Sequence, residues 1–161
     1  MITPIRMKKM LDGHFHDEWV RILEDISITR QARLRDPSSN QVNIHPTVMS
    51  DFLIHFRILH EFFYGNPRAH GGENANVKHY IPSWNKREPK RIQIWNGRIN
   101  EFLTHLSYSR ARGWIPWPFQ KLLYPHYKML TLRFIKNLPP NHRSSELESL
   151  KQRLTNEDFV I

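Results

Sequence analysis

Apolar side chains recur at intervals of three and four residues along four long stretches of the chain, which is the spacing of one helix face. The first stretch covers roughly residues 4–34, and Gly13 marks a point where a helix weakens or bends. Its apolar face consists of Leu11, Phe15, Trp19, Ile22, Leu23 and Ile26. Turn-forming residues occupy 36–40, so the pattern predicts a long first helix that ends before them.

The second stretch begins near Pro46, which is tolerated in the first turn of a helix, and ends near Gly65. Its apolar residues extend almost around the helix and are Val48, Phe52, Leu53, Ile54, Phe56, Ile58, Leu59, Phe62 and Phe63. Such a helix is packed on several sides. We therefore predict that it is the central helix of the core.

The rest of the chain predicts a long loop over residues 66–90, with a short helical turn near 77–81, and then two more long helices. The third helix carries Ile92, Trp95, Ile99, Phe102 and Leu106. The fourth opens at Pro118 and is kinked by Pro125. A short terminal helix, near residues 144–154, is capped by Ser144 or Ser145.

These elements predict an all-α fold with no strand. We expect one domain over residues 1–161, built as an antiparallel bundle of four main helices plus a short C-terminal helix. The predicted core residues are Phe52, Phe56, Leu59, Phe63, Trp95, Ile99, Phe102 and Leu106.

The composition is that of an intracellular globular protein. The chain has no cysteine, which excludes disulfides, thiolate metal sites and cysteine nucleophiles. The N-terminus lacks the apolar segment of a signal peptide, and no stretch has the length of a membrane span. We therefore expect a cytoplasmic protein with no membrane contact.

The formal net charge of +9 favours RNA or another polyanion as a partner. The basic residues are scattered, with local concentrations at Arg30, Arg33 and Arg35 and at Lys86, Arg87, Lys90 and Arg91. The alternative is a solvated surface that only keeps the protein soluble.

Histidine spacing along the predicted helices does not indicate a metal site. His14 and His16 are two residues apart and point in different directions, and His55 and His60 are five apart. Gly71 and Gly72 lack the lysine and hydroxyl residue of a phosphate-binding loop. We expect ordinary hydrogen-bonded histidines, with no metal and no cofactor.

Arg98 and His105 are seven residues apart on the third predicted helix, so their side chains point in nearly the same direction. Their shared face lies about a quarter turn from the centre of the apolar stripe, at the edge of the core. A guanidinium can bind a phosphate there while an imidazole moves a proton near neutral pH. This pair is the candidate catalytic site.

A four-helix bundle with an arginine, six intervening residues and a histidine on one late helix resembles the HEPN superfamily. That resemblance implies a homodimer in which two copies of the motif meet and cleave RNA without metal, using the ribose 2′-hydroxyl as nucleophile. It also implies that Arg98 stabilises the phosphate and that His105 performs acid–base chemistry.

Residues 55–64 and 99–110 are also similar to a recurrent small bacterial helical family of unassigned function. That likeness extends over about residues 45–125. It implies that residues 105–108 are a shared feature, either as a site or as a buried hydrogen-bond network that fixes helix packing.

Three classes of function remain. A noncatalytic helical binding module is slightly favoured, because no second site accompanies the Arg98 and His105 pair. The alternative is a HEPN-like metal-independent ribonuclease or RNA-binding toxin-type protein, which the basic charge and this pair favour. A metal-dependent hydrolase is disfavoured, because no two or three ligands have a suitable spacing.

Overall fold

The computed structural model describes residues 3–35, 46–68, 74–104 and 119–157. The first predicted helix is confirmed as three consecutive segments: α1 (Pro4–Met10), a π-helical turn (Leu11–Phe15) and α2 (His16–Arg35). Thr3 caps α1, because its hydroxyl accepts the Arg6 amide hydrogen at 3.3 Å. The weak point predicted at Gly13 is therefore a π turn in the middle of an otherwise continuous helix.

The second predicted helix is α3 (Pro46–Tyr64), and it ends where Gly65 is required. A Cβ atom on Gly65 would lie 2.3 Å from the Glu61 carbonyl oxygen, which no larger residue can tolerate. The Asn76 amide then donates to the Gly65 carbonyl at 2.8 Å and also caps the short helix α4 (Val77–Tyr80). The short helical turn predicted in the long loop is thereby confirmed and tied to the end of α3.

The C-terminal half follows the same order as the prediction. Helix α5 covers Lys90–Thr104, and a π turn (Phe119–Leu123) leads into α6 (Tyr124–Asn137). Pro125 is the second residue of α6, directly after that turn. A 3₁₀ turn (Pro140–His142) precedes α7 (Ser145–Asn156), whose cap is Ser144, accepting the Leu147 amide hydrogen at 3.3 Å.

The core lies where α3 packs against α2, α5 and α6, and α7 closes it by packing on α6 and α2. Its centre is an aromatic cluster with ring centroids 4.7 to 6.3 Å apart, made of Phe15, Phe62, Phe63, Tyr80 and Phe134. Across α2 and α6, the buried Trp19 indole donates to the Thr131 hydroxyl at 3.0 Å. The described residues are all-helical with no strand, which confirms the predicted fold class. No helix among them is both long and apolar enough to cross a bilayer.

The predicted core agrees with the structure on α3 and in part on α5. Phe52, Phe56, Leu59, Phe63 and Ile99 are buried. Trp95 and Phe102 are only partly buried and pack against the core from its edge, because α5 inserts Ile92 and Ile99 instead. Leu106 lies outside the described residues.

Candidate functional site

A groove of about 440 Å³ lies between the N-terminal helix and α3. Its two walls are rows of side chains one turn apart, Met10, His14 and Glu18 on one side and Ile54, Ile58 and Phe62 on the other. Phe15 contacts Phe62, whereas Glu18, further along the first helix, contacts His55, which precedes Phe62. The two rows therefore run in opposite directions.

The α3 wall of the groove is apolar and uncovered. Ile54 and Ile58 are each 42% exposed, although the other described apolar residues of this helix pack into or against the core. Full burial of an isoleucine contributes about 1.5–3 kcal/mol, so covering the exposed part would contribute about 1 kcal/mol for each. Helix α3 is packed on several sides, as predicted, because it contacts α2, α5 and α6, and the described Ile54 and Ile58 lie on a side that stays uncovered.

The groove also contains one cation without a partner. Arg57 and Glu61 lie one turn apart on α3 and line the groove beside the isoleucines. Among the described residues, no carboxylate lies within ion-pair distance of the partly buried Arg57. An anionic group on a ligand therefore has a pairing position here that does not displace an existing contact.

A charged network lies behind the Glu18 end of the groove. His55 Nδ1 is 2.5 Å from Glu18 Oε2, and His55 Nε2 is 3.5 Å from Asp51 Oδ1. Burial lowers the pKa of His55, but the hydrogen bond and charge of Glu18 and the charge of Asp51 outweigh it and raise the pKa above its usual value. The raised pKa favours the protonated imidazolium form of His55, which donates a hydrogen bond to Glu18. The network therefore neutralises the charge of Glu18 and joins α2 to α3.

Asp25 lies next to this network and is only 5% exposed. Burial, followed by the charge of Asp51, raises the pKa of Asp25 to about 7. Its Oδ2 atom has no hydrogen-bond partner among the described residues. The carboxyl group is therefore only partly ionised near neutral pH.

A second polar cluster joins α3 to α6 and consists of two histidine–tyrosine pairs. His60 Nδ1 lies 3.0 Å from the Tyr127 hydroxyl, and His126 Nε2 lies 2.9 Å from the Tyr64 hydroxyl. Glu88, from the segment before α5, places Oε1 at 3.6 Å from His60 Nε2. We call these five residues the His–Tyr cluster.

The His–Tyr cluster does not have the acid–base properties of a catalytic site at neutral pH. Burial lowers the pKa of His60 to about 4 and raises the pKa of Tyr64 to about 12. It also lowers the pKa of His126 and raises that of Tyr127 well above its usual value. These four rings are neutral near pH 7, and Tyr127 is almost completely buried, so their geometry serves helix packing.

The predicted pair of Arg98 and His105 is described only in part. Arg98 is exposed on α5, and its guanidinium lies 4.6 Å from the centre of the Trp95 ring. This position agrees with the predicted edge of the core. His105 lies outside the described residues, so the approach of the two side chains stays a prediction.

Within the described ranges, no three His, Asp or Glu side chains are arranged to hold a metal ion. No family model, curated protein or solved structure matches this chain. The assignment of function therefore depends on the site geometry alone.

The groove was not predicted from the sequence. The sequence of α3 nevertheless contains a pattern that indicates it. Arg57 follows Ile54 by three residues and Glu61 follows Ile58 by three, so the charged and the apolar side chains lie on the same side of the helix. Charged residues beside an apolar row mark the border of a packed face. Whether a border of this kind is covered depends on where α1 and α2 run relative to α3. The periodicity of the sequence does not define that path.

Proposed function

We propose that this small basic protein is an intracellular, noncatalytic binding module whose ligand occupies the groove between the N-terminal helix and α3. The observation that carries the proposal is the uncovered row of Ile54 and Ile58 beside the unpaired Arg57. Predominantly apolar clefts of this volume, with few polar groups, are typical of ligand sites. We also propose that the long helices form an antiparallel bundle.

The electrostatics favour binding over catalysis. His55 Nδ1 is paired with Glu18, and His55 Nε2 lies 3.5 Å from Asp51 and is buried, so neither nitrogen is accessible to a substrate. The four rings of the His–Tyr cluster are neutral at physiological pH, and His60 and Tyr127 are buried.

An apolar fluorescent anion, anilinonaphthalene sulfonate, tests this proposal on the native protein. We expect Ile58→Glu to weaken dye binding by about tenfold, because a carboxylate in the groove must be desolvated and repels the sulfonate. The matched control is Ile94→Glu, since Ile94 is 49% exposed on α5, away from the groove. Equal losses in the two variants would show that the dye reports general surface binding and would contradict the proposal.

A second candidate function is a HEPN-like, metal-independent ribonuclease or RNA-binding protein that acts as a homodimer. The observation in its favour is that Arg98 is exposed, is oriented by Trp95 and forms no ion pair with a described carboxylate. Lys90 and Arg91 are exposed in the first turn of the same helix. This face of α5 thus presents several cations to a phosphate chain.

Cleavage of RNA in the presence of a chelator tests the second candidate. Arg98→Ala and His105→Ala should abolish cleavage, whereas Arg153→Ala, which removes an exposed charge from α7, should leave most of it. RNA binding should weaken steeply as salt rises. Equal cleavage by the native protein and the Arg98 and His105 variants, all confirmed to be folded, would remove this pair from the function.

A further inference from the structure

The groove has the shape that two packed helices leave open for a third. Each wall spans nine residues of helix, and the eight steps from first to last cover about 12 Å or a little more than two turns. Asn74 and Ala75 close the groove at the Phe62 end, where Asn76 is anchored to the end of α3. Facing rows of this length suit an elongated ligand that lies along the groove.

The groove and the cleft that adjoins it carry charges of both signs, with a small excess of positive ones. Arg57 is located at the middle of the α3 wall, and Glu18 is already neutralised by His55. The adjoining cleft begins at Met10 and His14 and is lined by the basic Arg6, Lys8 and Lys9 and by the acidic Asp12 and Asp17. Glu61 is the exposed acid of the groove and lies towards its closed end. The net charge of +9 acts in the same direction at long range.

We propose that the groove binds an amphipathic helix of a partner protein, and that an acidic residue of this helix pairs with Arg57. Apolar side chains at i, i+3, i+4 and i+7 of such a helix match two facing rows of side chains one turn apart. A basic helix would instead place a cation beside Arg57, which is unfavourable in a partly dehydrated groove. This inference rests on the proposed function, because it names the ligand class for the same site.

The pairing with Arg57 sets the specificity of the groove. The isoleucine row binds any apolar face, and it therefore supplies affinity without choosing between acidic and basic helices. Arg57 makes that choice, since its charge attracts one and repels the other at the same position. We expect a preference of about tenfold in Kd for the acidic helix.

The experiment uses two fluorescent model peptides with the same leucine row at i, i+3, i+4 and i+7. One carries glutamates beside the leucines and the other carries lysines at those positions. The native protein should prefer the glutamate peptide, and Arg57→Glu should reverse the preference. The matched control is Arg91→Glu, which makes the same change in net charge at an exposed position on α5 and should keep the preference.

The outcomes separate this inference from the proposed function. If Arg57→Glu and Arg91→Glu reduce the preference equally, net charge accounts for it and the pairing with Arg57 is wrong. If the dye occupies the groove but neither peptide displaces it, the partner helix is wrong while the binding module stands. If Ile58→Glu and Ile94→Glu affect dye and peptides alike, the groove is not a binding site and both proposals fail.

Discussion

Replacing Asp25 should change how the stability of the protein depends on pH. Asp25 is buried on α2, and burial followed by the charge of Asp51 raises its pKa from 3.8 to about 7. In the unfolded chain the carboxyl group returns to its ordinary value. Folding therefore favours the protonated form of this side chain.

The sign and size of the effect follow from that difference. Because the folded-state pKa is the higher one, the stabilising contribution is complete below about pH 4 and is lost as the pH rises to about 7. About three pKa units at 1.36 kcal/mol each correspond to about 4 kcal/mol. Between about pH 5 and pH 8, the free energy of unfolding should decrease by about 3 kcal/mol, because roughly two of the three pKa units lie within that range.

Urea unfolding near pH 5 and near pH 8 measures this contribution. The Asp25→Asn variant has no carboxyl group to ionise at this position. Between the two pH values, its free energy of unfolding should therefore decrease by about 3 kcal/mol less than that of the native protein. The control is Asp17→Asn, since the Asp17 side chain is 71% exposed on the same helix. Parallel pH curves for the native protein and Asp25→Asn would refute the reasoning.

Three further substitutions test the packing by thermal unfolding. Gly65→Ala should destabilise the protein by at least about 1 kcal/mol, because its Cβ meets a carbonyl oxygen at 2.3 Å, whereas Gly13→Ala meets no atom within 4 Å and should be neutral or stabilising. A destabilised Gly13→Ala with an unchanged Gly65→Ala would contradict the assigned helix ends. Thr131→Val should cost about 1–3 kcal/mol, because it leaves the buried Trp19 indole without its acceptor. A cost within experimental error would show that this bond does not join α2 to α6.

The sequence predicted the helices well because their signals are local. The ends of α3 and the cap at Ser144 follow from residues within one turn of each boundary. The partners of His55 and His60 lie 37 and 67 residues away, so spacing predicted hydrogen-bonded histidines but not their partners. For the same reason the partly exposed Trp95 was placed in the core, and the groove was not found. The pairing of Arg98 with His105 stays a prediction.

The π turn at Leu11–Phe15 keeps the N-terminal helix in phase with the core. Met7, Leu11, Phe15 and Trp19 follow one another at intervals of four residues, and all pack on the core. On a regular α-helix each such step overshoots a full turn by about 40°, so three steps would rotate Met7 about 120° away from Trp19. One wide turn absorbs the extra residue and cancels most of this rotation. Because the wide turn absorbs one extra residue, deleting a single residue from it would leave a regular α-helix in which Met7 and Trp19 still lie on the same side, so α1 would keep its face towards the core.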